Sequence, residues 1–195
     1  MRVEVLTGAS LDAALDDVAQ LRISVFRAFP YLYDGSLAYE RDYLQTYRDS
    51  ETAVLVGAFD GARLVGAATG TPMEDHADDF AAAFSITDLD LSQIFYCAES
   101  VLLPEYRGLG IGHRFFDLRE AHGRALGRAF SAFCVVVRPE DHPLRPADYA
   151  PLDPFWRKRG YRPLEGVQAS FNWKDVDQPE PTDHTLQFWI RSLTA

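Results

Sequence analysis

Apolar side chains recur at two different spacings along the first half of the chain. After a short strand predicted at Val3–Leu6, they recur every three or four positions, which is the spacing of an amphipathic helix. Ser10 is a candidate N-cap for that helix, which we expect to end before Pro30. Its apolar positions are Leu11, Ala14, Leu15, Val18, Leu21, Val25 and Phe29. A second helix is predicted over residues 36–48.

Strand-like patterns begin after the second helix. Residues 52–59 and 63–69 read as two strands joined at Asp60-Gly61, which is the signature of a hairpin. One short acidic helix is predicted over residues 73–84. The run at residues 94–103 is apolar on both faces and therefore predicts a central strand of a sheet. The chain thus combines helices with a sheet.

A glycine-rich turn separates this central strand from the next helix. Arg107-Gly108-Leu109-Gly110-Ile111-Gly112 leads into a helical face that ends at Gly127. That face consists of Ile111, Phe115, Leu118, His122 and Ala125. A buried strand is predicted over residues 130–137, followed by a loop over 138–154 and a short helix over 155–159.

The remaining residues predict the edge of the sheet and a tail. Residues 161–163 and 167–173 read as two separate strands. The segment Leu186–Ile190 is too apolar to be exposed to solvent. We therefore predict one domain over residues 1–195, with 175–195 as a C-terminal extension that docks on it.

The net charge of the chain disfavours one class of partner. The 195 residues include 29 acidic and 19 basic side chains, for a formal charge of −10, and no cluster of Lys or Arg is present. Nucleic-acid binding is disfavoured, because it needs a positive surface.

No apolar run is long enough to span a membrane, and the N-terminus lacks a signal-peptide pattern. Cys97 and Cys134 lie in apolar stretches and do not indicate disulfides. We expect a cytoplasmic protein.

The glycine turn is a candidate anion site. Glycines at 108, 110 and 112 remove side chains at a helix N-terminus, where unpaired backbone N–H groups and the helix dipole attract a phosphate. Arg107 adds a charged donor, and His113 adds a polar one. A glycine-rich turn is also a common tight connection. His113 stands where a dinucleotide fingerprint needs its third glycine, and Gly-Lys-Ser/Thr is absent.

The remaining motif, Arg-x-x-Gly-x-Gly, resembles the pyrophosphate-binding motif of the GNAT acetyltransferase superfamily. The resemblance covers residues 99–112 and a later segment, Phe155–Tyr161, and the order of predicted elements matches the family as well. It implies an α/β (α+β) fold in which a mixed central sheet with splayed parallel strands is flanked by helices. It also implies acetyl-CoA as co-substrate. Backbone groups of Val101, Leu102 and Leu103 would pair with the pantetheine arm, and N–H groups from Arg107 to Gly112 would hold the pyrophosphate.

The resemblance assigns the chemistry to residues near these motifs. Acetyl transfer to an amine needs a base, and Glu99 on the central strand, beside Cys97 and Val101 on one face, is the candidate. The alternative is a structural carboxylate hydrogen-bonded across the splayed strands. The family's usual general acid is a Tyr where this chain has Trp156, which would flank the thiol end of the coenzyme. Tyr161 or Tyr149 could replace it, although packing is the more common role of such a residue.

The acceptor is less well defined by the sequence. The resemblance places Tyr31, Tyr33 and Asp34 beside the acceptor pocket, where aromatic rings and a carboxylate would suit a cationic amine. An ordinary turn with packed tyrosines is the alternative. The histidines and cysteines show no metal spacing, so no metal is expected. A homodimer is left open.

The sequence therefore predicts an N-acetyltransferase that moves an acetyl group directly from acetyl-CoA to a primary amine of a small molecule or a protein. A non-catalytic acyl-CoA-binding sensor of the same fold and a transferase of longer acyl groups are the alternatives. A cationic acceptor is favoured by the acidic composition.

Overall fold

The computed structural model describes residues 1–194 of the chain. Within that range the chain forms five α-helices around one seven-stranded sheet. The helices are α1 (Ala9–Phe26), α2 (Leu37–Asp49), α3 (Ala77–Phe84), α4 (Ile111–Ala125) and α5 (Asp153–Lys158). The strands are β1 (Arg2–Leu6), β2 (Val54–Asp60), β3 (Arg63–Pro72), β4 (Ile94–Leu102), β5 (Phe130–Val136), β6 (Arg162–Trp173) and β7 (Thr182–Ser192).

The strands lie in the order β1-β2-β3-β4-β5-β7-β6. All neighbours are antiparallel except β4 and β5, which run parallel. This parallel pair is joined through α4, as a parallel connection requires. The predicted mixed sheet flanked by helices is confirmed.

Consecutive strand residues point to opposite faces of the sheet and into different apolar clusters. Val65 and Ala68 pack beneath α4 with Phe115, whereas Leu64 and Ala67 pack beneath α1 and α2. A third cluster, centred on Phe80, Phe188 and Cys134, lies beneath α3. The sheet is therefore buried on both faces, which explains the continuous apolar runs in its central strands.

The parallel strands separate along their length. β4 and β5 pair only from Ile94, opposite Phe130, to Tyr96, opposite Ala132. Beyond that point, Cys97–Leu102 pairs with β3 on one side and faces an opening on the other. The predicted splay is thus confirmed, and it leaves one edge of β4 without a strand partner among residues 1–194.

Several boundaries differ from the sequence prediction. Helix α1 ends at Phe26 rather than before Pro30, because Phe29 packs on Tyr149, with ring centroids 4.7 Å apart, instead of continuing the helical face. Ser10 is not the N-cap, since Gly8 holds that position and the Ser10 hydroxyl donates to the Thr7 carbonyl. The helix predicted over 73–84 is a 3₁₀ turn, Met73–His76, followed by α3.

The C-terminal segment departs most from the prediction. Residues 182–192 form β7, which lies between β5 and β6 inside the sheet instead of docking on its surface as an extension. Leu186, Phe188 and Ile190 face the cluster beneath α3, while Trp189 faces the opposite side. β6 is one strand rather than two, with an irregular register between Pro163 and Gln168.

Candidate active site

The opening between β4 and β5 ends at the glycine turn. Leu103 follows β4, and its amide donates to the carbonyl of Val65 at 3.0 Å, which anchors the end of the strand. Val101 is buried beneath α1, while Leu102 and Leu103 are partly buried. The backbone predicted to pair with a pantetheine arm therefore borders the opening.

The turn presents backbone N–H groups to solvent. Gly108 and Gly110 have φ values of 77° and 80°, a left-handed conformation that costs an L-residue about 1 to 2 kcal/mol. Helix α4 has no side-chain cap, and its first hydrogen bond runs from the Arg114 amide to the Gly110 carbonyl. The amides before Arg114 thus have no acceptor within the helix. Leu109 is 65% exposed, so the turn projects outward.

Several side chains border this helix N-terminus. Arg107 is exposed and free to reach an anion at the turn. Gly112 faces Phe155 of α5, and a Cβ at position 112 would lie 3.5 Å from its ring. Nδ1 of His113 lies 3.2 Å from the Arg159 guanidinium, and Ile111 is buried. The structure therefore gathers the residues predicted for the pyrophosphate at one exposed corner.

Glu99 lies on β4 at a bulge. Thr69 of β3 is opposite Glu99, and Thr71 is opposite Tyr96, so β4 contains one more residue than β3 between these pairs. This extra residue turns Glu99 and Val101 toward α1 and α2, while Cys97 packs beneath α4. The prediction that Glu99 and Cys97 share a face is thus wrong, because it assumed unbroken alternation.

A buried arginine stabilises the bulge from the α4 side. Arg119 is 1% exposed and donates to the carbonyls of Thr69 (3.1 Å) and Glu99 (2.8 Å). A third bond reaches the Ser100 hydroxyl at 2.8 Å. Arg119 thereby satisfies backbone acceptors that the bulge removes from the strand ladder.

The Glu99 carboxylate is contacted by two helices. Its Oε1 forms an ion pair with Arg22 of α1, and its Oε2 accepts a hydrogen bond from the Tyr43 hydroxyl of α2 at 2.9 Å. Tyr43 also lies 2.8 Å from the Tyr47 hydroxyl. Burial, and then Glu99, raise the pKa of the Tyr43 hydroxyl, which therefore remains a donor at neutral pH.

Arg22 contacts a second carboxylate. Its Nε donates to Glu40 of α2, whose side chain is fully buried, whereas the Glu99 side chain is 12% exposed. Sequence reasoning missed this network. The signal was present, because Arg22 lies four residues after Val18 on the apolar stripe of α1. Likewise Glu40 and Tyr43 lie one turn before Leu44 and Tyr47, which are buried.

Tyr161 packs on the α4 side of the sheet, whereas the Glu99 carboxylate contacts α1 and α2 on the other side. It is 2% exposed, packs on Phe116 and Phe133, and its hydroxyl bonds to Glu120 (3.0 Å) and Ser131 (2.8 Å). Burial raises its pKa well above the ordinary value. The structure thus gives Tyr161 a packing position instead of the catalytic one suggested by the sequence.

Trp156 is part of the same aromatic packing beneath α4. Its ring centroid lies 5.1 Å from that of Phe133 and 5.3 Å from that of Trp189. The residue that occupies the position of the usual tyrosine therefore forms apolar contacts among the residues described.

The linker between α1 and α2 carries the predicted acceptor residues. The Tyr31 carbonyl accepts from Arg138 (2.7 Å) and from the Trp173 indole (3.1 Å). Burial, and then the neighbouring Cys134 and Glu99, raise the pKa of the Tyr31 hydroxyl. The Tyr31 ring also packs on Phe26, with centroids 4.6 Å apart, so Tyr31 makes packing contacts within the linker and its role toward an acceptor stays a prediction.

The other two linker residues, Tyr33 and Asp34, make different contacts. Tyr33 lies over Gly35, and burial followed by the nearby Glu40 carboxylate raises the pKa of its hydroxyl. Asp34 accepts from Lys174 and from Arg27, each at 2.9 Å, and these two contacts lower its pKa. The charge of Asp34 is thus already matched, which corrects the expectation that it would be free for a cationic acceptor.

No group of three His, Cys, Asp or Glu side chains within residues 1–194 is arranged to hold a metal ion. In the same range, no helix combines the length and the apolar character needed to cross a lipid bilayer.

Comparison with known proteins gives the fold. Neither a family model nor a curated protein sequence matches the chain. A candidate acetyltransferase from Salmonella typhimurium, solved with acetyl-CoA, superposes with a TM-score of 0.63 at 9% identity, covering 100% of this chain and 95% of the other. A candidate GNAT-family acetyltransferase from Desulfovibrio desulfuricans gives 0.59 at 10% identity, with 99% of both chains covered.

An aminoglycoside 6'-N-acetyltransferase solved with coenzyme A gives a TM-score of 0.61 at 14% identity, with 100% of this chain and 98% of that one covered. At these identities the likeness concerns architecture, and it extends over the whole length of each chain. The splayed β4–β5 pair, the glycine turn and α4 thus belong to a chain that has the fold of the GNAT acetyltransferases.

Proposed function

We propose that this protein is an N-acetyltransferase of the GNAT superfamily, which transfers an acetyl group directly from acetyl-CoA to a primary amine of a small molecule or a protein. The observation that carries the proposal is the unpaired edge of β4, which leads into an uncapped helix N-terminus with Arg107 beside it. A long ligand with an extended amide-containing arm and a diphosphate fits such a site. The structural likeness to acetyltransferases supports the same assignment.

The coenzyme is proposed to occupy the opening between β4 and β5. Backbone groups of Val101 to Leu103 would bond its pantetheine amides, and the amides from Gly108 to His113 would bond its diphosphate. The Arg107 amide, which was predicted to join them, already donates to the Pro104 carbonyl at 3.1 Å. Bound acetyl-CoA would supply the thioester carbonyl that the amine attacks. The residues of this chain bind it, exclude water from its thiol end and accept the proton of the amine.

Glu99 is proposed as the base. Its carboxylate is 12% exposed, borders the opening and is oriented by Arg22 and Tyr43. Because an alkylammonium has a pKa of about 10, the amine must lose a proton before or during attack. Tyr31 and Tyr149 from the surrounding loops would line the acceptor side. The cytoplasm, with its pool of acetyl-CoA, is the proposed location.

Two measurements on the wild-type chain test this function. A thermal-shift titration with acetyl-CoA should stabilise the fold, since a ligand at 100 times its Kd adds about 2.7 kcal/mol. A panel of amines, comprising an aminoglycoside, a polyamine and a lysine-containing peptide, should then release free thiol from acetyl-CoA. Stabilisation without thiol release from any amine would favour the non-catalytic sensor, and no stabilisation would reject the coenzyme.

The base assignment has its own test. We expect Glu99→Gln to lower kcat by about 100- to 10,000-fold, because the amide cannot accept the proton. The affinity for acetyl-CoA should stay at the wild-type value. Glu165→Gln, an exposed acid on β6, is the control and should leave both quantities unchanged. Wild-type kcat in Glu99→Gln would show that another group accepts the proton.

A further inference from the structure

One buried and one partly buried carboxylate share a guanidinium at the base of the opening. Arg22 contacts Glu40 through Nε and Glu99 through a terminal nitrogen. Its guanidinium is 4.3 Å from the centroid of the Tyr43 ring and 5.3 Å from that of Phe26. The planar group is therefore fixed by an anion at each of two edges and by aromatic rings, so its orientation is determined from several sides.

Stability alone gives no reason to keep this arrangement. Removing two charges from water is costly, and apolar replacements of a buried ion pair are often neutral or stabilising. Burial alone would lower the pKa of Arg22, but Glu99 and its other anionic neighbours outweigh burial and raise that pKa well above the ordinary value. The guanidinium thus carries its positive charge at neutral pH.

The three side chains connect three elements. Arg22 extends from α1, Glu40 from α2 and Glu99 from the bulged part of β4. Glu99 is the member that reaches the opening, whereas the side chains of Glu40 and Arg22 are 0% and 8% exposed. Glu40 therefore fixes Arg22, and Arg22 in turn fixes the rotamer of Glu99.

We infer that Arg22 is a positioning residue, held by Glu40, which orients the Glu99 carboxylate toward the amine. The inference rests on the proposed function, because it assumes that Glu99 accepts the proton. Tyr43 donates to the other oxygen of Glu99, so both carboxylate oxygens are restrained by the two helices. Substrate does not need to touch Arg22.

A charge-matched double variant separates positioning from charge balance. The three side chains carry two negative charges and one positive charge, and Arg22→Met with Glu40→Gln preserves the same net charge. Because the carboxylate then loses its main restraint, we expect kcat to fall by about 10- to 100-fold. The KM for acetyl-CoA should stay close to wild type, whereas the melting temperature should fall, because Glu99 keeps its charge without a cation beside it.

The same helix pair offers a matched control. Arg41 of α2 binds Asp16 of α1 through two bonds of 2.7 and 2.8 Å, on the exposed side of the helices and away from Glu99. Arg41→Met with Asp16→Asn also removes one ion pair between α1 and α2. We expect it to leave kcat unchanged. Equal kcat values in wild type and in the Arg22/Glu40 variant would overturn the inference.

A spectroscopic readout is independent of turnover. In ¹⁵N spectra of the Arg22 guanidinium, Glu99→Gln should shift the terminal nitrogens, and Glu40→Gln should shift Nε. Terminal nitrogens that do not respond to Glu99→Gln would overturn the inference, whatever the activity. A wild-type protein that acetylates no amine but shows both shifts would refute the proposed function while leaving the shared guanidinium established.

Discussion

Two thiols lie near the opening, and their surroundings decide whether either could carry an acetyl group. Cys134 on β5 is buried with its sulfur 3.3 Å from the Tyr96 hydroxyl, and Cys97 is buried with its sulfur 3.4 Å from Ser131. Burial raises the pKa of Cys97 and raises that of Cys134 to about 12. A thiolate is therefore scarce at neutral pH, which disfavours a covalent intermediate.

The low reactivity expected of both thiols can be measured by thiol labelling. In the native protein at pH 8, we expect neither cysteine to react with a thiol-specific dye on the time scale that labels both in urea. Incubation with acetyl-CoA alone should add no acetyl group to the intact mass. A rapidly labelled thiol together with an acetylated chain would instead indicate transfer through the protein.

At the scale of single residues, the sequence identified positions beside its motif and missed those that depend on distant contacts. Glu99 and the glycine turn could be predicted because strand, turn and helix are consecutive in the chain. The helix faces of Arg22 and Tyr43 indicate that they are buried, but not that they contact Glu99, since the Tyr43–Glu99 bond joins residues 56 positions apart. Tyr161 was considered because it lies near Trp156 in sequence, and that proximity does not show the side of the sheet on which Tyr161 packs.

At the scale of elements, the two ends of α4 provide a matched experiment. Gly110 precedes the helix and Gly127 follows it, with φ values of 80° and 74°, and a Cβ at either position would meet no atom within 4 Å. Alanine at either site should therefore cost about 1 to 2 kcal/mol in the free energy of unfolding, from backbone strain alone.

Only the substitution at Gly110 should weaken the binding of acetyl-CoA. Gly110→Ala adds a methyl group where the diphosphate is proposed to approach the amides, so we expect at least about a tenfold weaker Kd for acetyl-CoA. Gly127→Ala should keep the wild-type Kd, as measured by calorimetry, despite the same loss in urea stability. Equal Kd values for the two variants would remove the turn from the proposed site.

The position of β7 in the strand order could not be predicted from the sequence. Apolar patterning located residues 186–190 as buried but not as an interior strand, because β7 is inserted between two strands that precede it in sequence. The alternation of Leu186, Phe188 and Ile190 was visible. This alternation could not specify the strands with which β7 pairs, since register and neighbouring strands depend on contacts outside the segment.

At the scale of the whole molecule, charge favours one kind of acceptor. The chain carries −10 overall, and the three side chains at the base of the opening retain one negative charge. A cationic amine would be attracted by both. We expect the KM for a polyamine to rise several-fold between 20 and 300 mM salt, because exposed charges are screened over about 10 Å at 0.1 M.

A neutral aromatic amine supplies the control for this experiment. Its KM should vary little over the same salt range, and the KM for acetyl-CoA should be followed in parallel to separate effects at the turn. A polyamine KM that is independent of salt would show that charge does not guide the acceptor.

The position of β7 also has a consequence for how the protein is made. β6 leaves the ribosome before β7, yet β7 is the neighbour that joins it to the rest of the sheet. Until residues 182–192 have emerged, β5 and β6 each expose an unpaired edge, and such edges promote aggregation. A nascent chain stalled before Thr182 would therefore depend on chaperones, whereas addition of the last strand closes both edges at once.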